Sequence, residues 1–588
     1  MTILNESLAA RISSFGTDPG DPEANLAPQD NRAYVRGSDL PPLRYATIPQ
    51  IMRDTVSRFG PRDAAVFCDQ DVRLSYYDLD RKVDQLASGL LAMGLETGDR
   101  LGIWSPNRLE WLLTQFATAR IGVVLVTINP AYRLAELEYA LNKVGCKALV
   151  LARAFKKSDY LGMIQSLAPE LERSAPGRLN AAKLPSLRHV VAIGDAPVPG
   201  AWSFDQIMEL GGPAQQLRLD QITASLSPDD AINIQFTSGT TGAPKGATLS
   251  HYNIVNNAFF TVDRMRFSET DRLCIPVPLY HCFGMVLGTL GCVTKGAAMV
   301  LPGEGFEAAA TLDACATERC SALYGVPTMF VAMLDALETS PRDLSRLRTG
   351  MMAGAPCPIE VMRAVMDVMN MREVTIGYGM TETAPISFQS FTDDPLEKRV
   401  TTVGRIHPHV EVRIAGPDGA TLAPGEQGEL CTRGYSVMKG YWNDAERTTE
   451  AIRDGWMMTG DLAVIDDAGF CAITGRVKDM IIRGGENIYP REVEDFLFRH
   501  PKVSEAQVFG IPDEKFGEEV CAWIVARAGS ELDGEELRSF CQGQIAHFKI
   551  PRHFRVVDAL PMTITGKPQK FLMREKMMEE LGARASTV

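Results

Sequence analysis

The strongest constraint on the fold is an alternation. Short apolar runs of strand length recur along much of the chain, with helix-like segments between them. The runs include AAVFC (64–68), RLGIWS (100–105), GVVLVTIN (122–129), KALVLA (147–152), HVVAIG (189–194), AINIQFTS (231–238), DRLCIPVPLY (271–280) and AAMVLP (297–302). YYDLDRKVDQLASGLLAMGL (76–95) is one of the intervening helix-like segments. This order predicts α/β units built on largely parallel sheets.

The texture changes after about residue 403. VEVRIAGPDGATL, GELCTRG and WMMTGDLAVIDDAGFCAITGR read as short strands with turn signals, so residues 403–477 are expected to form a small β-rich subdomain. Residues 478–588 are long enough for a separate α+β domain, with VSEAQVFGIP and EVCAWIVA as strands and GEELRSFCQGQIA as a helix. The predicted division is an N-terminal extension (1–44), a large α/β body (45–477) and a hinged, mobile C-terminal domain (478–588). Residues 1–44, rich in Pro, Asp, Asn and Gly, read as an extended or disordered lead, with regular structure beginning near Tyr45. Residues 153–187 read as a polar surface excursion.

Sixty basic and 73 acidic residues give a formal charge of −13, which argues against nucleic acid or an anionic membrane as partner. No apolar stretch reaches the ~20 residues of a membrane span. The N-terminus lacks the basic start and apolar core of a secretory signal, and it carries too few basic residues for a transit peptide. Twelve scattered cysteines without a CxxC pair read as buried free thiols of a reducing compartment, and the cytoplasm is the expected location.

The segment Thr237-Ser238-Gly239-Thr240-Thr241-Gly242-Ala243-Pro244-Lys245-Gly246 follows an apolar run. Its glycines admit close approach to a polyanion, its hydroxyls and N–H groups can hold phosphate oxygens, and Lys245 adds charge. Taken alone it could equally be a surface loop, and it is not the GxxxxGK[ST] pattern.

This run resembles the phosphate loop of the adenylate-forming superfamily, which holds acyl-CoA synthetases, luciferases and peptide-synthetase adenylation domains. Further motifs follow in family order across roughly residues 50–575. The resemblance implies that Tyr378 stacks on adenine, Thr381 contacts the adenylate phosphate and Glu382 helps hold Mg²⁺. It implies that Gly354-Ala355-Pro356 forms the other wall of the adenine slot. Asp461 would hold the ribose hydroxyls, Arg476 would contact ribose or phosphate, and Lys478 would be the hinge. Gly484, Gly485, Glu486 and Asn487 would line the coenzyme A tunnel after a domain rotation. Lys567, after TxTG, would be the lysine inserted for adenylation.

The acyl pocket implied by the same resemblance includes His281 at the carboxylate end, with Phe283, Tyr324, Gly325, Val326 and Gly377. Gly379 stands where acetate-activating relatives carry a closing Trp, so the pocket is expected to stay open for a longer acid. The ending HFKIPRHFRVVDALPMTITGKPQK most resembles medium-chain fatty acyl-CoA synthetases. The implied reaction joins a carboxylic acid to coenzyme A through an acyl-adenylate, consuming ATP with Mg²⁺. A homodimer is the family expectation. Loading of another acceptor, a luciferase-like oxygenase and a decayed nucleotide-binding protein are the rival readings.

Overall fold

The computed structural model describes residues 26–237, 244–355, 357–484, 486–513, 515–563 and 567–585. Their strands gather into sheets of nine, eight, six and five strands, besides a two-stranded ribbon. Among the described residues no helix is long and apolar enough to cross a membrane.

The eight-stranded sheet runs Trp202–Ser203, His189–Ala192, Ala148–Leu151, Arg100–Trp104, Val124–Thr127 and Ala231–Thr237, all parallel. It closes with Lys245–Ser250 and Gly440–Tyr441, both antiparallel. The nine-stranded sheet has a parallel centre, Glu373–Gly379, Thr349–Ala353, Ala322–Gly325, Arg272–Cys274, Ala298–Leu301 and Asp63–Phe67. Antiparallel strands flank it on both edges. The apolar runs are continuous because these strands are covered on both faces: Val124–Thr127, Ala148–Leu151 and Ala298–Leu301 are buried at every position. The run 271–280 is strand only at Arg272–Cys274, since Pro276 and Pro278 cannot donate to a ladder.

The helix Tyr76–Ala92 begins where expected, at a capping box in which Ser75 and Asp78 satisfy each other's backbone N–H groups. The helix His251–Arg264 is almost wholly buried, and its asparagines are structural. Asn257 bonds the Ile386 carbonyl at 2.8 Å and Asn256 bonds the Arg44 carbonyl at 3.0 Å. At its end Arg264 donates to the carbonyls of Gln389, Arg405 and Ile406. Each bond satisfies a buried polar group while tying distant strands to one helix.

The six-stranded sheet holds Val410–Ala415, Gly428–Gly434, Trp456–Ile465 and Cys471–Arg476, within the β-rich region read from the sequence. Its edge corrects the expectation for the N-terminus. Tyr34–Arg36 is a strand paired antiparallel with Glu411–Arg413, and Leu26, Ala33 and Val35 are buried there. Regular structure therefore starts before Tyr45. Burying one such side chain stabilises a fold by about 1.5–3 kcal/mol, so Val35→Ala should lower the thermal unfolding midpoint, measured by calorimetry, while leaving the room-temperature circular dichroism spectrum intact.

Residues 153–187 also differ from the expectation. Tyr160, Ile164, Leu167, Leu171, Leu179 and Leu184 are all buried in one cluster with Trp104 and Leu149. The segment is a packed flank of the eight-stranded sheet, because its widely spaced apolar residues fall on one inner side.

The last sheet orders Glu486–Ile488, Ile481–Arg483, Gly517–Ala526 and Val503–Asp513, with His553–Val557 parallel to Gly517–Ala526. A short 3₁₀ turn, Val477–Asp479, joins it to the six-stranded sheet.

Candidate active site

The site collects at strand ends, where open α/β sheets expose backbone and loops to a ligand. Ala231–Thr237 ends in Thr237, ahead of the Gly/Ser/Thr loop. Ser238, Gly239, Thr240, Thr241 and Gly242 lie outside the described residues, as do Pro356 and Gly485. Thr349–Ala353 delivers Gly354 and Ala355, and Glu373–Gly379 delivers Tyr378 just before the 3₁₀ turn Thr381–Thr383. Gly354 has φ +89°, a left-handed conformation that costs glycine little.

Glu382 is buried and accepts two hydroxyl bonds on one oxygen: Thr237 Oγ1 at 3.0 Å and Tyr441 OH at 2.9 Å, both to Oε1. Lys245 Nζ in turn donates to Tyr441 OH at 2.9 Å, and its ammonium lies 4.4 Å from that ring's centre. Burial lowers the Lys245 pKa and Glu382 opposes this. Lys245, Glu382 and Thr237, the last residue of the strand Ala231–Thr237, thus share one hydrogen-bonded chain through Tyr441.

Tyr441 is the member that sequence reasoning missed. It sits in a two-residue edge strand, Gly440–Tyr441, and a Gly-Tyr pair carries no motif weight. Its only sequence signal is that Gly440-Tyr441-Trp442 is a tight apolar step in a polar stretch. Tyr441→Phe should keep the ring packing yet leave Lys245 and Glu382 each short of a partner. An unpaired buried group costs about 1–3 kcal/mol, so a reaction that relies on this chain should slow by about 5- to 150-fold. Unchanged adenylation kinetics in that variant would assign Tyr441 to packing alone.

A second group surrounds Asp461. Tyr378 OH donates to Oδ2 at 2.6 Å, and Arg476 Nε donates to Oδ1 at 2.9 Å. Asp461 and Arg476 are direct cross-strand partners, which fixes that pair. Burial first, and then the Asp461 charge, raise the Tyr378 pKa well above the usual phenol value. The Arg476 pKa is also raised: the surrounding protein lowers it, and Asp461 together with Asp479 and Tyr378 more than offsets that. Thr459 steadies the turn by bonding the Leu430 carbonyl and accepting the Asp461 amide.

Lys567 brings the C-terminal segment to both groups. It keeps solvent contact, but the protein around its ammonium lowers its pKa, with Arg476 the next cause. Cys282, Asp461 and Glu382 act in the opposite direction. His281 also feels Lys567; burial first and that charge second lower its pKa to about 3, so the imidazole is neutral. His281 Nδ1 accepts the Phe283 amide at 3.1 Å, which leaves the proton on Nε2. Cys282 Sγ lies 3.9 Å from Thr381 Oγ1, and burial pushes its pKa up to about 12, so it is no nucleophile.

Other expected residues are not brought here. Gly484, Glu486 and Asn487 lie exposed on a hairpin whose bonds run within its own sheet, as in Gly484 N–H to the Phe516 carbonyl at 2.8 Å. Lys478 occupies the exposed joining turn.

Phe283 and Tyr324 do meet, stacked at 5.1 Å, and Val326 is buried beside them. The glycine argument for an open pocket needs correction. A Cβ on Gly379 would stand 1.7 Å from the Pro385 carbonyl oxygen, so glycine there admits the Ala384–Pro385 turn and not an acyl chain. Cβ atoms on Gly377 and Gly325 would meet Met351 Sδ at 2.8 Å and the Phe330 ring at 2.9 Å. These positions are filled by neighbours.

Comparison with known proteins gives this geometry a family. The AMP-binding enzyme family matches residues 52–442, and the AMP-binding enzyme C-terminal domain matches residues 492–567. The chain belongs to the AMP-binding enzyme family. It is 47% identical over 554 residues to the medium-chain acyl-CoA ligase ACSF2, mitochondrial, of Danio rerio, covering 94% of this chain and 91% of that one. The putative acyl-CoA synthetase YngI of Bacillus subtilis is 46% identical over 546 residues, covering 92% of this chain and 99% of that protein.

Among solved structures, the anthranilate CoA ligase AuaEII in complex with anthranoyl-AMP aligns with a TM-score of 0.80 at 25% identity, covering 92% of this chain and 98% of that one. ATP-bound MatB from Rhodopseudomonas palustris aligns at 0.77 with 29% identity, covering 90% and 99%. The chain is an AMP-forming acid–CoA ligase of the adenylate-forming fold, using ATP and coenzyme A.

The cytoplasmic expectation does not stand, because the ACSF2 relatives at 47% identity are named mitochondrial. All twelve cysteines are free and all but Cys68 are buried, which fits any reducing compartment and could not have chosen between them.

Proposed function

We propose that this ligase activates a medium-chain fatty acid or a related small acid, in two half-reactions served by two positions of residues 478–588. The observation that carries the reading is the setting of Lys567, a C-terminal cation whose charge reaches His281, Cys282, Asp461 and Glu382 together. The relatives named as medium-chain acyl-CoA ligases, and the stacked Phe283–Tyr324 pair beside neutral His281, support the acid class.

In the first half-reaction the acid's carboxylate attacks the α-phosphorus of ATP and pyrophosphate leaves. His281 offers a neutral Nε2–H to orient that carboxylate without adding charge. Lys245 and the loop 237–246 hold phosphate oxygens, and Thr381 takes the α-phosphate. Glu382 suits a hard divalent cation, since Thr237 and Tyr441 orient it through a single oxygen. Magnesium bound there would neutralise phosphate charge. Asp461 keeps lone pairs for the ribose diol beyond its bonds to Tyr378 and Arg476. Tyr378 faces adenine, across from Gly354, Ala355 and Pro356. Lys567 offsets the charge that builds on the α-phosphate.

In the second half-reaction residues 478–588 turn about Lys478. Lys567 withdraws, and Gly484, Gly485, Glu486 and Asn487 guide the thiol of coenzyme A to the adenylate.

The test is coenzyme A-dependent AMP release across acids from C2 to C16, with branched, thioether and aryl members. Turnover should peak on medium-chain acids. AMP release without coenzyme A consumption would redirect the adenylate to another acceptor, and a preference for acetate or for aryl acids would remove the proposed class.

A further inference from the structure

Cys274, Cys315 and Cys320 come from three places: the end of strand Arg272–Cys274, the helix Ala308–Thr317, and the turn before strand Ala322–Gly325. They are 0%, 2% and 0% exposed, and their sulfurs lie within 4.8 Å of one another. The reaction above uses none of them. A single buried cysteine is a small apolar side chain, but three sulfurs around one point form a donor set with its own chemistry.

We propose that this trio is a binding site for a trivalent thiophilic ion, for which arsenic(III) is the fitting probe.

The coordination number and the charge select the ion. Three thiolates around a trivalent centre make a neutral, three-coordinate unit, which can lie in a dry core without the penalty of a buried net charge. Zinc on the same three sulfurs would retain one negative charge and want a fourth ligand. A monovalent ion would retain two. Arg272 is the nearby cation that could offset such charge, but its guanidinium is already committed to Asp63 at 2.9 Å and Glu318 at 2.5 Å.

Metal–thiolate bonds of about 2.3 Å place sulfurs about 3.4–4.0 Å apart around a three-coordinate centre, so sulfurs now within 4.8 Å of one another close by about an ångström, within reach of side-chain rotation. With arsenous acid the exchange balances. Three As–S bonds replace three As–O bonds, each thiol proton leaves with a hydroxyl, three waters depart, and nothing is oxidised or reduced.

Full-length protein incubated with equimolar arsenite and then desalted should retain about one arsenic per chain, as expected for a site tight enough to survive dilution. X-ray absorption should show three sulfur neighbours. Cys320→Ser and Cys315→Ala should each weaken retention by about tenfold or more, the second guarding against misfolding of the first. Cys68→Ser, at the one exposed cysteine, should leave it unchanged. The proposal is overturned if no arsenic is retained, if both trio variants retain it as the parent does, or if only two sulfurs are seen. Preferential retention of zinc(II) over arsenic would overturn the charge argument.

Discussion

Lys567→Ala should abolish adenylation while sparing thioester formation from a synthetic acyl-adenylate. Attack on the α-phosphate builds charge in a site already crowded with carboxylates, among them Glu382 and Asp461. A preorganised donor aimed at such charge is worth about 10²–10³ in rate, and Lys567 carries a full charge in a partly desolvated cleft, so the loss should reach at least the upper end. The second half-reaction starts from a formed adenylate, and on the proposed rotation the Lys567 segment would have withdrawn before it. Pyrophosphate release and thioester formation, measured separately, divide the two. Equal loss in both would remove the assigned role.

The same lysine predicts a pH signature. Its pKa is lowered, by the protein around its ammonium first and by Arg476 second. The cation is complete below that value and lost as pH rises through it. Adenylation should therefore fall on the alkaline side earlier than an ordinary lysine would dictate, and thioester formation should lack that limb.

Lys478→Pro should uncouple the half-reactions. Lys478 is the middle residue of Val477–Asp479, the turn joining the six-stranded and five-stranded sheets. Proline fixes its own φ and disfavours the helical region for the residue before it, here Val477 within the 3₁₀ turn. A conflict of about 3 kcal/mol would depopulate one orientation by about 100-fold. Overall turnover should fall by that order while one half-reaction stays near the parent's. Stopped assays of each half against steady-state acyl-CoA formation check this, and normal turnover would place the pivot elsewhere.

The α/β body was legible because its strands are buried on both faces, which writes apolar runs into the sequence. Tyr34–Arg36 was not, because three residues in a polar arm gain strand character only from pairing with Glu411–Arg413. The segment 153–187 concealed its burial by spacing its leucines widely among charges. Within the site, Tyr378, Asp461 and Lys567 stand in motifs whose chemistry can be named; Tyr378 bonds Asp461, and the Lys567 charge reaches that carboxylate. Tyr441 does not, since its place between Lys245 and Glu382 depends on an edge strand joining the eight-stranded sheet from far along the chain. Gly379 shows the reverse failure: a missing side chain reads as space in sequence, whereas the fold fills it with the Pro385 carbonyl.

The Asp461–Arg476 pair has a thermodynamic corollary. Arg476 is the last residue of its strand and adjoins the turn holding Lys478, so the carboxylate proposed for ribose would also anchor the proposed pivot. Two equilibria that share one ion pair are linked, and linkage is reciprocal. If nucleotide on Asp461 loosens Arg476 and shifts the balance of orientations by some factor, any change that biases orientation must alter nucleotide affinity by the same factor. On the proposed roles the chain would need no separate sensor to report that ATP has become AMP. Departure of pyrophosphate would change the load on the joint between the two sheets.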